Sequence, residues 1–529
     1  MDCDLLVIGA GAGGLSAAVT AATLGLSVIV VEKEPVYGGT TAWSGGWLWI
    51  PRNPLAMEAC IREDADGPRA YLRHELGDRY DPTLVDVFLT HGPRMVELFR
   101  TKTSLQFIDG NVIPDFHGRS PGALTGGRSV CAAPFDAREL GPRVAELRRP
   151  LDSMSLWGMG IASGAELRHF FDSLRVWRSF VHVTRRVTVH LKDLLLHGRG
   201  MRLVNGNALA ARLARARRGV VLACGGFPHD PVRKRALFPH APTGEEHWSA
   251  APSGNTGDGL RLGESAGGVV DATLPAAAGW APVSRVPRRD GTTGHFAHLI
   301  ERGKPGLIAV ATQGVRFVNE ADSYYDFMTA LFAATPIGRA VEAWLVCDHA
   351  FIRHYGLGAV KPAPMPIGWA LDCGYVKRGS DLDALARECG IDAPTLRATV
   401  DTYNRDARDG RDPAFGRGET PYNRMQGDPW RAPNPCVAPI GDGPYYAVKV
   451  VPGSLGTFAG LKTDASARVQ DREGRPIAGL YACGADMNSV MGGHYPSGGI
   501  PLGPAMTFGY IAAHHAAGVD LTGDEAKVQ

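Results

Sequence analysis

Asp4-Leu-Leu-Val-Ile-Gly-Ala-Gly-Ala-Gly-Gly14 opens the first readable unit of the chain, and Ser27-Val-Ile-Val-Val-Glu32 closes it. Residues 4–8 are an apolar run of strand length. Gly9, Gly11 and Gly14 follow as G-x-G-x-x-G, with Gly13 inside the motif. Residues 15–25 are small and apolar and read as a helix that Gly25 ends. Ser27 to Val31 reads as a second buried strand. Alone, the glycine motif is a weak signal. Between a strand and a helix, with an acid ending the next strand, it is specific. Such glycines allow a tight turn and let a pyrophosphate approach the helix N-terminus. Glu32 can accept from ribose hydroxyls. The unit predicts a Rossmann-like dinucleotide cradle.

The next segment decides which dinucleotide. Lys33-Glu-Pro-Val-Tyr-Gly-Gly-Thr-Thr-Ala-Trp-Ser-Gly-Gly46 is a second small-residue loop beside the first glycines. Its amides and hydroxyls suit a ligand lying extended across the domain, and an NAD site does not usually need them. Lys33, Gly39, Thr40, Thr41, Ser44, Gly45 and Gly46 are therefore candidate contacts to a non-covalent FAD. Later segments in the same style add to them. Arg218–Ala223 reads as a strand ending at Cys224-Gly-Gly226 and contributes Gly225. Gly254-Asn-Thr-Gly-Asp-Gly259 contributes Asp258 and runs into a helix. Gly484-Ala-Asp486 ends another strand. Gly498 and Leu502 flank a helix start suited to the negative charge of a reduced flavin. The lookalike Gly158–Gly164 has no strand before it and reads as a loop.

Composition bounds the remainder. The chain has 529 residues, 56 Lys plus Arg against 54 Asp plus Glu, and a net charge of +2. So balanced a chain has no global electrostatic reason to bind nucleic acid. With 44% apolar and 21% charged residues, it can build a large core. Its 67 glycines are near twice the usual share of about 7% and come in bursts. Nine widely spaced cysteines include no C-x-x-C, so free thiols in a reducing compartment are expected. No metal cluster is evident. No apolar run reaches the roughly 18 residues of a membrane span, and the first strand begins too early for a signal peptide. The expected location is cytoplasmic. The basic helical pattern at 165–197 reads as a solvated face, with peripheral membrane contact as its alternative.

Three blocks carry a family resemblance. The first is Gly9–Gly14 with Glu32 and Gly38–Gly46. The second is Arg316-Phe-Val-Asn-Glu-Ala-Asp-Ser-Tyr324. The third joins Gly456-Thr-Phe-Ala-Gly-Leu-Lys-Thr-Asp464 to Gly493-His-Tyr-Pro-Ser-Gly-Gly-Ile-Pro-Leu-Gly-Pro-Ala-Met-Thr-Phe-Gly509. Together they resemble FAD-dependent 3-ketosteroid dehydrogenases of the fumarate reductase superfamily. The resemblance implies an α/β fold: a Rossmann-like FAD-binding domain from both chain ends, with an inserted α+β catalytic domain. The expected segments are 1–273 (with a helical insert at about 56–200), 274–445 and 446–529.

Departures from the family pattern sharpen the reading. Leu455 stands where the fumarate reductases have a His, which argues against dicarboxylate reduction. Pro114-Asp-Phe-His117 lacks the Tyr of the Δ1-dehydrogenases, and Tyr495-Pro-Ser-Gly-Gly499 replaces their YPGPG. The closing motif is nearer the Δ4-(5α) pattern. Relatives also place some tens of residues, including an adenine-contacting strand, where this chain runs from Leu213 almost directly into Arg218.

Desaturation beside a ketone removes an α-proton and a β-hydride. FAD N5 takes the hydride, because no side chain can. The ketone then needs donors and the α-carbon needs a base. Tyr495 and the Gly499 amide are the expected donors. Tyr324 is the first candidate base, and Ser497 a relay or ketone contact. The two Tyr roles are exchangeable at this stage. The implied substrate is a small apolar cyclic ketone, steroid-like, and the implied electron acceptor a quinone or similar. The alternatives are an enone or fumarate-type reductase running in reverse, and a non-enzymatic FAD module.

Overall fold

The computed structural model describes residues 2–162, 165–213, 221–288, 290–519 and 521. The opening unit folds as its sequence predicts. β1 (Leu5–Ile8) and β2 (Val28–Val31) pair in parallel, Leu5 with Val28 and Ile8 with Val31, through α1 (Ala12–Thr23). Single parallel bridges carry the order from Ile8 to Leu222 and from Leu222 to Ala482. Three distant parts of the chain thus end side by side, at Gly9, Cys224 and Gly484. Ligands of open α/β sheets bind at that carboxyl edge. The start of the strand expected at Arg218–Ala223, most of the short 213–218 junction and nearly all of the tail beyond Gly518 lie outside the described residues.

The closing helix, Leu502–Ala516, packs against α1 and joins the two chain ends. Both helices are apolar on most faces and buried along most of their length, as central helices are. Their backbones approach closely. The Ser16 hydroxyl donates to the Met506 carbonyl at 2.6 Å. A Cβ on Gly509 would stand 2.4 Å from the Gly13 carbonyl oxygen.

A six-stranded antiparallel sheet lies between the ends. Its path runs Leu307–Ala311, Ala343–Asp348, Tyr445–Thr457, Ala278–Pro287 and Thr293–Ala297, with Val376–Gly379 paired to the third. The strand Tyr445–Thr457 pairs Lys449 with Trp344 on one side and Val451 with Val283 on the other. It crosses the boundary expected at 445/446 and pairs within the inserted sheet along its length. Alternating apolar residues on these strands build the insert's core.

The helical segment expected at 165–197 is a pair of helices, Ala165–Phe171 and Trp177–His197. All nine cysteines are free. Among the described residues, no helix is long and apolar enough to cross a membrane.

Candidate active site

One cavity of about 1990 Å³ extends from the carboxyl edge of the parallel strands to the inserted sheet. Its first end is lined by Gly9, Gly11, Gly13, Glu32 and Lys33. Gly39, Thr40, Thr41, Ser44, Gly45 and Gly46 form one wall. Gly225, Asp258 and Gly484 form another, and Gly498, Gly499 and Leu502 close the middle. The sequence-predicted contacts thus meet in one space. Gly14, Asp486 and Ser497 do not line it.

The glycines divide by what a side chain would meet. A Cβ on Gly14 would lie 2.2 Å from the Gly9 carbonyl oxygen, so packing excludes it. A Cβ on Gly11 would meet nothing closer than the Thr41 hydroxyl at 3.7 Å. It would project into space the protein leaves open. That is the signature of a backbone kept bare for a ligand. Thr41 accepts from the Ala12 amide at 2.9 Å and so ties the second loop to the first turn of α1. No acidic residue occupies that turn or the first turn of Leu502–Ala516. Two helix N-termini therefore offer their positive ends to an anion.

Glu32 accepts from the Ala10 amide at 2.9 Å and the Glu34 amide at 3.1 Å. A carboxylate has about four lone-pair sites, so capacity for a ribose remains. Lys33 is paired with Asp258 and donates to Thr256 at 2.9 Å. Asn255, which sequence reasoning passed over, donates to the Thr40 hydroxyl at 2.9 Å and the Gly225 carbonyl at 3.0 Å. It stitches three cofactor-facing segments together. Asp486 works from behind the cavity. Its buried carboxylate accepts from the Cys224 amide and, at 3.0 Å, from the Gly226 amide. Burial lifts its pKa to about 6, against the pull of those bonds.

Tyr324, Tyr495, Phe116 and Tyr422 form an aromatic cluster at the second end. The Tyr324 and Tyr495 rings meet edge to face, centroids 5.2 Å apart. Phe116 stands 5.5 Å from Tyr324, 5.9 Å from Tyr495 and 4.6 Å from Tyr422. Each tyrosine is felt electrostatically by the other, and Tyr495 lies 3% and Tyr324 8% exposed. Burial raises both pKa values. Both hydroxyls are therefore held protonated in the closed pocket. Tyr324 begins the helix Tyr324–Ala334, whose cap Ser323 accepts from the Asp326 amide at 3.1 Å. The helix N-terminus and the buried Arg302 both favour a phenolate there.

The motif before Tyr324 is scaffolding. Glu320, wholly buried, accepts from Arg316 at 2.7 Å, Arg417 at 2.9 Å and the Ala309 amide at 3.0 Å. Asn319 donates to Asn423 at 2.9 Å, and Asn423 donates to the Ala321 carbonyl at 2.9 Å. These bonds fix Tyr324 and its neighbour Tyr422 together. Tyr422 lies in a stretch with no motif and could not have been found by pattern.

The loop bearing Tyr495 is held equally firmly. The Pro496 carbonyl accepts from the Tyr71 hydroxyl at 2.6 Å, and the Gly493 carbonyl from Tyr325 at 2.8 Å. The Ser497 hydroxyl bonds Asp115. Asp115 also accepts from the Trp49 indole at 2.9 Å and pairs with Arg128 at 2.5 Å. Gly499 has φ +98°, and a Cβ on it would stand 2.7 Å from the Trp49 nitrogen, so both conformation and space require glycine. His117 is turned from the cavity. It bridges Glu75 and, at 3.0 Å, Asp326. Burial opposes its charge, but those two carboxylates outweigh burial and raise it to about 10.

Helix N-termini at an extended cleft, beside hydroxyl donors in an apolar pocket, define a flavin-dependent oxidoreductase. Over residues 4–502 the chain matches the family model described as FAD binding domain. The chain belongs to that FAD-binding family, and FAD is its cofactor. It is 37% identical to 4-oxocyclohex-2-ene-1-carboxylate 5-dehydrogenase of Sinomonas cyclohexanicum, over 97% of this chain and 94% of that one. It is 35% identical to 3-oxosteroid 1-dehydrogenase of Mycobacterium tuberculosis, over 98% of each. Among solved structures it is similar to 3-ketosteroid Δ1-dehydrogenase from Sterolibacterium denitrificans in complex with 1,4-androstadiene-3,17-dione. That likeness has TM-score 0.89 and 34% identity, and covers 98% of this chain and 99% of the other. The protein is an FAD-dependent dehydrogenase with the expected α/β fold.

Proposed function

We propose that the protein desaturates a cyclic ketone at its α,β-carbons. The observation that carries this reading is the edge-to-face Tyr324–Tyr495 pair, ring centroids 5.2 Å apart, which lines the cofactor cavity together with Gly499. The Tyr495 hydroxyl and the Gly499 amide hold the ketone oxygen and stabilise the developing enolate. Tyr324 removes the α-proton as a phenolate, after its own proton has passed to solvent, and the helix N-terminus and Arg302 favour that form. FAD, when bound, supplies the hydride acceptor. Phe116 and Tyr422 keep water from the reacting carbons.

The names of the relatives support two substrate types, a 3-ketosteroid and a small cyclic oxo acid. Ser497 is buried and does not line the cavity, which favours desaturation on the Δ1 side of the ketone over Δ4. Mass and NMR analysis of the products from a 5α-3-ketosteroid and a 4-substituted cyclohexanone tests this. A ring double bond conjugated to the ketone, on the Δ1 side of the steroid, is the expected result. A 4,5-double bond would restore the Δ4 reading, and an unchanged ketone would favour an enone reductase.

The electron acceptor we infer is a quinone met at a membrane surface. The helix Trp177–His197 exposes Trp177, Phe180, Leu195 and Leu196 beside Arg185 and Lys192. Leu195 is 88% exposed. Apolar anchors among basic residues suit an anionic lipid surface. Co-sedimentation with vesicles containing anionic lipid, lost on Leu195→Glu, is the expected outcome. Equal sedimentation of both proteins would remove the contact.

A further inference from the structure

Two lysines line the same cavity and, among the described residues, form no direct ion pair. Lys304 is 8% exposed and lines the cavity. Its Nζ donates to the Gly427 carbonyl at 2.9 Å and stands 5.0 Å from the Phe171 ring centre. Lys361 lines the cavity too. Its Nζ donates to the Ser153 carbonyl at 3.0 Å and lies 6.0 Å from the Phe296 ring centre. An ammonium carries three donors, and each bond above uses one.

The neighbouring acids are committed elsewhere. Asp428 accepts from the Tyr355 hydroxyl at 2.6 Å and pairs with Arg175 at 3.1 Å. Glu301 is bonded to His298 at 2.5 Å. Asp172 accepts from the Trp430 indole at 3.1 Å and faces Arg168 at 3.7 Å. Among the described residues, no carboxylate stands within ion-pair distance of either lysine. Burial pulls both lysines down to about 8, which leaves them mostly charged at neutral pH. Asp428 and Asp172 act on Lys304, and Glu301 on Lys361, only from beyond ion-pair distance, and an anionic ligand group at the ammonium would relieve the remaining cost of burial.

Position connects this charge to the chemistry. Gly427, the carbonyl partner of Lys304, directly follows the helix Pro421–Gln426. That helix carries Tyr422, which touches Phe116 and, through it, the tyrosine pair.

We propose that the substrate is a cyclic ketone bearing a carboxylate, with its ketone at Tyr495 and Gly499 and its carboxylate at Lys304. The proposal rests on the desaturase reading above and narrows its substrate class. The carboxylate can sit on a single ring or on the side chain of a fused-ring ketone, and both present the same anion.

The test compares 4-oxocyclohexanecarboxylate with its methyl ester, and a 3-ketosteroid bearing a side-chain carboxylate with its methyl ester. The acid of at least one pair should exceed its ester at least tenfold in kcat/KM, and the pair that does so identifies the skeleton. Lys304→Met should erase that preference by lowering acid turnover alone, and Lys304→Arg should keep it. Flavin content and thermal midpoint establish that the variants fold. Calorimetric binding of cyclohexanecarboxylate, which has no ketone, gives a readout apart from turnover. It should weaken at least tenfold in Lys304→Met. Acid and ester used equally by the wild type in both pairs, or an equal loss on both in Lys304→Met, would overturn the proposal. If cyclohexanecarboxylate binds through Lys304 while no ketone reacts, the anion site stands and the desaturase reading falls.

Discussion

The cofactor end and the substrate end of one cavity are built by opposite means. At the cofactor end, backbone does the work. Bare glycines, two helix N-termini and short cross-ties from Thr41, Asn255 and Glu32 leave space shaped by main chain. At the substrate end, side chains do it. Tyr324, Tyr422, Tyr495 and Phe116 arrive from four separated segments and depend on buried networks behind them. Backbone sites constrain sequence locally and can be read from motifs. Side-chain sites are assembled by tertiary contacts, so their members leave little local trace.

The largest expected effect tests the substrate end. Tyr495→Phe should lower turnover by about 10²–10³ while flavin content stays unchanged. Steady-state rates with the flavin absorbance of the same preparation check this. Loss of flavin together with rate would mean the two ends are not separable.

Arg128 probes the support behind the tyrosine loop. It is 2% exposed, pairs with Asp115 at 2.5 Å and donates to Glu63 at 2.8 Å. Arg128→Met should cost about 3–5 kcal/mol by stranding those carboxylates. Denaturant unfolding of the flavin-bound protein measures it, and a change below about 1 kcal/mol would contradict the assigned role.

The glycine pair sharpens the comparison at the cofactor end. Gly14→Ala should lose about 1–3 kcal/mol of stability through overpacking against Gly9. Gly11→Ala should keep the fold and weaken FAD binding instead. Thermal unfolding of the apoprotein and flavin titration separate the two, and matching behaviour would refute the division drawn between these glycines.

The smallest effect concerns pH. His117 is raised to about 10 by Asp326 and Glu75. Its ordinary value is about 6.5. Its contribution to stability is therefore complete below about pH 6.5 and lost as pH rises through about 10. The unfolding midpoint of the wild type should fall across that window more steeply than that of His117→Gln. Parallel curves would remove the charge from the account.

These contrasts explain what was legible. The βαβ opening, Glu32, the 38–46 loop and the helix at 502 follow from periodicity and glycine placement. Tyr324 and Tyr495 were reachable only through longer motifs. Tyr422, Asn255 and Lys304 carry no pattern, because each acts through a partner far away in sequence. Ser497 shows the reverse case. Its place beside Tyr495 suggests chemistry, yet it is buried out of the cavity, a direction spacing does not encode. The strand Tyr445–Thr457 has glycines and valines that resemble the cofactor domain, while its pairing lies in the inserted sheet.

The most direct test of the central claim is anaerobic flavin bleaching by a saturated cyclic ketone, followed in wild type and Tyr324→Phe at matched flavin content. Bleaching by the wild type, slowed about 10²–10⁴-fold in the variant, is the predicted result. Equal rates in both, or no bleaching of the wild type by any cyclic ketone, would contradict the account.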